Sequence, residues 1–95
     1  GIGALRPTPW CVLEYAAPDH SQGYCGVFAV NQAVDGQAEY VLRLRGIDRS
    51  LTYAVTLDNS GETFTMTGRE LANNGLTLRL DGSMLSELVL YTVAQ

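Results

Sequence analysis

The runs Glu39-Tyr-Val-Leu-Arg-Leu-Arg45 and Thr52-Tyr-Ala-Val-Thr-Leu57 decide the fold class, because apolar and polar residues alternate along both of them. A period of two is typical of β-strands that bury one face. The connection at 46–51 begins with a glycine, so we predict that the two runs form a hairpin. Two strands cannot bury an apolar face alone, so other runs must supply a second layer. The apolar positions of the hairpin are Tyr40, Leu42, Leu44, Tyr53, Val55 and Leu57.

Five other stretches are rich in β-favouring residues, and turn-forming residues separate them. These stretches lie at residues 10–15, 24–30, 63–67, 76–80 and 84–93. Residues 70–73 are predicted to form a single helical turn, which Asn74-Gly75 ends. About seven short strands and no helical period predict an all-β fold, namely an antiparallel β-sandwich of two sheets.

The last run, residues 84–93, is the most apolar of the chain and carries apolar residues at both parities. Two explanations are open. Either the run is a central strand with both faces covered inside the domain, or a neighbour outside this sequence covers one of its faces.

Composition excludes several classes of protein. With 95 residues, 46% of them hydrophobic and 17% charged, the sequence predicts one folded domain. The net charge is −4 and lysine is absent, so no basic stripe is available for nucleic acid. No apolar run approaches the about 20 residues that a membrane-spanning helix needs. Gly1 is not an initiator residue and no signal peptide follows it, so we expect a segment of a longer protein whose compartment stays open.

The cysteines and the single histidine give no sign of a metal site. Cys11 and Cys25 fall in the first two predicted strands, where they either pair across the strands or remain buried free thiols. The sequence does not decide whether they pair. Zinc binding would need more ligands than one histidine and two distant cysteines, and the glycines lack the spacing of a phosphate-binding loop. We therefore expect neither a metal nor a cofactor.

Three elements carry a resemblance to a known family. Residues 40–48 read Tyr-Val-Leu-Arg-Leu-Arg-Gly-Ile-Asp, Tyr53 begins the next run, and Thr67-Gly-Arg-Glu-Leu71 precedes Asn74-Gly-Leu76. In order and spacing they resemble the C-terminal β-sandwich domain of family 36 glycoside hydrolases, the α-galactosidase group. In that family a strand leads into a Gly-Leu-Asp loop, and a later Gly-x-x-Leu-Met-x-x-Gly-Leu element precedes the sixth strand. The resemblance runs from about residue 27 to residue 80.

The resemblance implies that residues 1–95 are one non-catalytic accessory domain cut from a longer glycoside hydrolase. In that family the nucleophile and the acid/base are two aspartates on a preceding (β/α)8 barrel, and no residue here corresponds to either. We therefore predict no catalytic residue in this chain. The expected partner is the catalytic barrel of the parent chain, with subunit contacts as a further role. The predicted docking residues are apolar positions of the last run: Leu85, Leu88, Val89, Tyr91 and Val93.

The acidic residues lead to the same conclusion without the resemblance. Glycoside hydrolysis requires two carboxyl groups about 5–10 Å apart across the sugar. Most acids here fall in turns or on polar strand faces. Glu14 and Glu87 lie within apolar runs, where an edge-strand or interface charge explains them better than catalysis. Asp19, His20 and Ser21 are adjacent, so they cannot form a relay whose members converge from separate elements.

Carbohydrate binding is the alternative function. Binding modules built on β-sandwiches stack exposed aromatic rings against sugar rings. Trp10 stands at a strand entrance and Tyr24 follows a loop, so these two are the candidate sugar-binding rings. Tyr40 and Tyr53 lie on the core parity, where we expect their rings to be buried.

Overall fold

The computed structural model describes residues 10–29, 38–80 and 86–94. These residues form seven strands and one short helix, so the predicted all-β class of about seven strands is confirmed. The elements are β1 (Trp10–Ala16), β2 (Gln22–Ala29), β3 (Ala38–Leu42), β4 (Thr52–Leu57), β5 (Glu62–Thr67), α1 (Gly68–Asn73), β6 (Leu76–Leu80) and β7 (Ser86–Val93).

The strands form two antiparallel sheets that pack as a sandwich. The larger sheet has five strands in the order β1-β2-β7-β4-β5, and the smaller sheet pairs β3 with β6. β7 is therefore the central strand of the larger sheet. The chain passes from one sheet to the other between β3 and β4, and it returns through α1 between β5 and β6.

The predicted hairpin between residues 39–45 and 52–57 is wrong. β3 pairs with β6 in the smaller sheet, whereas β4 lies between β7 and β5 in the larger one. The connection crosses between the sheets, and two of its N–H groups bond to β1. The N–H groups of Arg45 and Gly46 donate to the Glu14 carboxylate oxygen Oε2 at 2.7 and 3.1 Å. Glu14 on the edge strand β1 thereby holds the chain as it leaves the smaller sheet.

The core lies between the two sheets. Alternate residues of the larger sheet face inward, and the apolar face of β3 and β6 covers them together with one residue of α1. Tyr53 is fully buried and Tyr40 packs against the core, as the parity of the two runs predicted. The buried hydrophobic residues are Cys25, Val27, Leu42, Leu44, Tyr53, Val55, Leu57, Leu71, Leu76, Leu78, Val89 and Tyr91.

Two buried tyrosines differ in how their hydroxyl groups are satisfied. The Tyr53 hydroxyl donates to the His20 carbonyl and accepts from the Asp48 N–H, both at 2.9 Å. It thus links the β1–β2 turn to the crossover, by which we mean the connection between β3 and β4. The Tyr91 ring lies 5.5 Å from that of Tyr53 at 83°, and its buried hydroxyl has no hydrogen-bond partner among the described residues. A side chain at Gly23 would overlap this hydroxyl, so the position requires glycine.

The short helix α1 is held by a capping box that the sequence contains as Thr67-x-x-Glu70. The Thr67 hydroxyl oxygen accepts from the Glu70 N–H at 3.0 Å, and the Glu70 carboxylate accepts from the Thr67 N–H at 3.0 Å. These bonds satisfy two donors that a helix start otherwise leaves free. The predicted turn at 70–73 is thus the end of a helix that begins at Gly68.

Candidate docking face

The outer face of the larger sheet carries no charged side chain among its described residues. It is formed by the residues of the five strands that alternate with those facing the core. A sheet face that meets water normally carries charged and polar residues. The outward residues are Leu13, Tyr15, Gln22, Tyr24, Gly26 and Phe28 on β1 and β2, Ser86, Leu88, Leu90 and Thr92 on β7, and Thr52, Ala54, Thr56, Thr63, Thr65 and Thr67 on β4 and β5.

Large apolar and aromatic side chains are concentrated on the β1, β2 and β7 half of this face. Leu13 is 61% exposed and Tyr15 is 52% exposed, and Phe28 and Leu90 are also exposed. Tyr15 and Tyr24 are cross-strand partners whose rings stack with centroids 5.5 Å apart and 30° between their planes. We refer to Leu13, Tyr15, Tyr24, Phe28 and Leu90 as the apolar patch.

The outer face of the smaller sheet is different. Its outward side chains include Glu39 on β3 and Arg79 on β6, which form an ion pair at 3.1 Å while both remain largely exposed. Exposed ion pairs of this kind are typical of a solvated surface and contribute little stability. Val41 is an isolated exposed apolar residue on this charged face.

The structure divides the predicted docking residues between the two faces of β7. Leu88 faces outward and is half-buried. Val89 is fully buried and Tyr91 is 3% exposed, so both pack inside the domain. Neither side chain is available at the surface for docking. Val93 faces inward and packs against the core at the end of the strand. Leu85 lies outside the described residues.

The two predicted sugar-binding rings are placed differently. Tyr24 lies on the surface, within the apolar patch. Trp10 is the first residue of β1, and its side chain lies outside the described part of the structure. Tyr24 also lines a groove of about 390 Å³ on the outer face, together with Gln22, Thr56 and Leu90.

Glu14 and Glu87, the two glutamates within apolar runs, accept hydrogen bonds from backbone N–H groups of nearby loops. Glu14 holds the crossover as described above, on an edge strand as predicted. Glu87 is buried on the central strand β7, so the edge-strand explanation does not apply to it. Its carboxylate accepts from the N–H groups of Asn59 at 2.7 Å, Ser60 at 3.2 Å and Leu88 at 3.0 Å. Both side chains therefore satisfy backbone donors of neighbouring turns.

One groove brings two carboxyl groups together. Glu62 and Glu87 line a groove of about 340 Å³ beside Arg79. The oxygens of Glu87 are already occupied by three N–H donors, and Glu62 is exposed to solvent. This arrangement differs from that of a glycosidase, in which two carboxyl groups face each other across an open sugar site.

Asp19, His20 and Ser21 do not form a relay. The Ser21 hydroxyl donates to Asp19 at 2.6 Å, whereas His20 Nδ1 lies 3.1 Å from the Gly46 carbonyl oxygen. The same Asp-x-Ser arrangement recurs at Asp48 and Ser50, whose hydroxyl donates at 2.7 Å. In each case the serine hydroxyl and N–H lower the pKa of the aspartate. Both motifs stabilise turns.

The structure excludes direct pairing of the two cysteines across β1 and β2. Cys11 is opposite Phe28, and Cys25 is opposite Glu14. Cys25 is a free thiol, and burial together with the nearby Glu14 carboxylate raises its pKa to about 11. A buried thiol with a raised pKa is a poor nucleophile.

Within residues 10–29, 38–80 and 86–94, no three potential metal-ligating side chains come together. No helix formed by the described residues is long and apolar enough to cross a membrane.

Most of the apolar patch was not predicted from the sequence. No inward or outward face was assigned to residues 10–15 and 24–30, so Leu13 and Phe28 were not recognised. The alternation of Leu13 and Tyr15 with Val12 and Glu14 was the available signal. No sequence signal identifies the glycine that makes room for Tyr91, because this packing depends on the pairing of β2 with β7.

The fold is an antiparallel β-sandwich whose larger sheet has an uncharged outer face among its described residues. Residues 10–90 match the model of the glycosyl hydrolase family 36 C-terminal domain. The chain belongs to this family and is an accessory domain of a glycoside hydrolase, so the resemblance found between residues 27 and 80 is confirmed. No curated protein matches the sequence.

Proposed function

We propose that this chain is a non-catalytic C-terminal domain that packs against the catalytic barrel of an α-galactosidase-like parent enzyme. The outer face of the larger sheet is the docking surface. The observation that carries the proposal is the absence of charge from the described outward residues of five adjacent strands. Depletion of charge with enrichment of aromatic residues distinguishes the centre of a protein interface from ordinary surface.

The distribution of the other charges supports this choice of face. Glu39 and Arg79 lie on the smaller sheet, and Glu14 and Glu87 satisfy N–H groups of loops. Docking through the charged face would require desolvation of an ion pair, whereas docking through the apolar patch buries groups that gain from leaving water. The larger sheet is therefore the favourable side for a permanent contact.

Carbohydrate binding on the same face is the second candidate function. The groove lined by Tyr24 supports it, since Gln22 and Thr56 supply polar groups beside an aromatic ring. The stacking of Tyr15 on Tyr24 weakens it, because each ring covers one face of the other and leaves a single face for a sugar.

The proposal is tested by one charged substitution on each outer face of the full-length parent enzyme. Leu13→Asp lies in the apolar patch, and Val41→Asp is the matched control on the smaller sheet. We expect Leu13→Asp to weaken docking, which lowers the melting temperature of the parent and speeds proteolytic release of the domain. Val41→Asp should change neither. Equal behaviour of the two variants would contradict docking through the larger sheet.

A binding experiment separates the second candidate. The isolated chain is titrated with galactosides while the fluorescence of Trp10 is followed, with Tyr24→Ala as the comparison variant. A saturable change that Tyr24→Ala abolishes would favour carbohydrate binding. We expect no saturable change.

A further inference from the structure

Beyond its first residue, Glu62, the strand β5 forms an edge of the larger sheet without the usual protection. Edge strands are normally protected from pairing by charges, prolines or bulges. The opposite edge strand, β1, carries the inward-pointing Glu14. Residues 63–67 of β5 contain no charge and no proline, and they pair with β4 in an unbroken register. The edge side chains Phe64 and Met66 pack against the core yet remain partly exposed.

The hydrogen bonds at the end of β5 establish which of its backbone groups face the free edge. The Gly68 N–H donates to the Leu51 carbonyl at 2.7 Å, one step beyond the Thr52–Thr67 pair. Because bonded and non-bonded pairs alternate in an antiparallel ladder, the backbone groups of residues 62, 64 and 66 point to β4. Those of Thr63, Thr65 and Thr67 point away from it. The hydroxyl contact of 3.4 Å between Thr56 and Thr63 agrees with a non-bonded pair.

The capping box of α1 occupies one of the backbone N–H groups on this free edge. The outward N–H of Thr67 donates to the Glu70 carboxylate at 3.0 Å. Among the described residues this leaves the N–H and C=O groups of Thr63 and Thr65 without a ladder partner. The part of this edge that is available for pairing is therefore limited to residues 63–65.

We propose that β5 pairs antiparallel with β5 of a second copy of this chain, so that a two-fold axis passes beside Phe64. Thr63 then lies opposite Thr65 of the partner subunit, and four backbone hydrogen bonds form. Phe64 lies opposite Phe64 of the partner subunit in a non-bonded pair, where side chains approach most closely. Glu62 lies opposite Met66 of the partner subunit, so no like charges face each other.

A second copy fits this edge because the pairing is self-complementary. The same two threonines supply donors and acceptors on both sides, as an isologous two-fold interface requires. A register centred on Thr65 would place Thr63 of the partner subunit against the Thr67 N–H, which Glu70 already occupies. The two-fold axis is perpendicular to the sheet, so both apolar patches remain on one side and open. The inference therefore does not depend on the proposed function.

The first experiment measures the mass of the 95-residue chain by analytical ultracentrifugation across a dilution series. Thr65→Pro removes an edge N–H that β4 does not use, whereas Thr65→Val keeps it. We expect the wild type and Thr65→Val to dimerise, and the dissociation constant to rise about tenfold to a hundredfold in Thr65→Pro. A monomeric wild type, or a folded Thr65→Pro that dimerises like the wild type, would overturn the proposal.

The second experiment determines the register of the proposed β5–β5 pairing. It does not depend on the folding of a proline variant. Phe64→Cys and Thr65→Cys are made singly on a Cys11→Ser background, since Cys25 is buried. Mild oxidation should link two copies rapidly through residue 64, because non-bonded antiparallel pairs suit disulfide geometry. Faster linkage through residue 65 would contradict the register. Dimers that Leu13→Asp disrupts and Thr65→Pro does not would assign self-association to the apolar patch instead.

Discussion

Along β7, neighbouring residues of similar chemistry face different surroundings. Val89 is fully buried between the sheets, whereas Leu90 is 36% exposed on the outer face. The inner face has its partners inside the domain: β3, β6 and α1 cover it. The outer face is also apolar, although folding of the sandwich does not require this. The inner face is therefore explained by the stability of the fold, whereas the outer face fits the docking contact that we propose.

The largest expected effect is on the inner face. Val89→Ala should lower the free energy of unfolding by about 2–3 kcal/mol, because it removes two buried methyl groups and leaves a cavity. Leu90→Ala, one residue further on the opposite face, should change it by less than about 0.5 kcal/mol. Urea unfolding of the 95-residue chain measures both values. Similar losses for the two variants would show that the outer face is also covered within the domain.

A smaller loss is expected when the hydroxyl of Tyr53 is removed. Tyr53→Phe leaves the Asp48 N–H and the His20 carbonyl without their partner, so we expect a loss of about 1–2 kcal/mol in the free energy of unfolding. The same denaturation experiment measures it. An unchanged stability would mean that the tie between the β1–β2 turn and the crossover contributes nothing.

Alkaline pH should destabilise the domain through Tyr91. Burial, followed by the nearby Glu14 carboxylate, raises the pKa of Tyr91 from 10 to about 12. The unfolded state therefore releases this proton at a lower pH than the folded state, and stability falls as pH rises from about 10 to 12. Tyr91→Phe should flatten this part of the pH profile. An equally steep fall in Tyr91→Phe would assign the loss to other groups, such as the Cys25 thiol.

The smallest effect is expected for Tyr91→Phe at neutral pH. The hydroxyl that it removes has no partner among the described residues, so its loss should cost less than about 0.5 kcal/mol or increase stability. Together with Tyr53→Phe this forms a matched pair, since the two rings touch edge to face. A loss as large as that of Tyr53→Phe would reveal a bonding partner for the Tyr91 hydroxyl.

The sequence predicted strands better than it predicted their partners. Alternation placed Tyr53 and Val55 on a buried face, and the turn formers placed β5 and β6 within a residue of their observed bounds. Alternation reports only which way a side chain points, so it could not show that β3 and β4 belong to different sheets. That outcome involves pairing with β6 and β7 and the hydrogen bonds of Glu14 to the connection, all of which are distant in sequence.

The candidate site was predictable only in outline. Apolar residues at both parities of the last run left two explanations open, namely cover of both faces inside the domain or cover of one face by a neighbour. β7 is the central strand of the larger sheet, and Leu88 on it faces outward. The sequence could not separate Leu88 from Val89, because both parities of this strand are apolar. Which of the two faces the core depends on the pairing of β2 with β7. This pairing places Gly26 beside Leu88 and the buried Cys25 beside Val89.

Hydroxyl-radical footprinting of the full-length parent enzyme and of the isolated chain tests the central claim most directly, because it reports side-chain exposure residue by residue. We expect modification of Leu13, Tyr15 and Tyr24 in the isolated chain and their protection in the parent, while Val41 is modified equally in both. Equal modification of the two tyrosines in both proteins, or protection of Val41 instead, would contradict docking through the larger sheet.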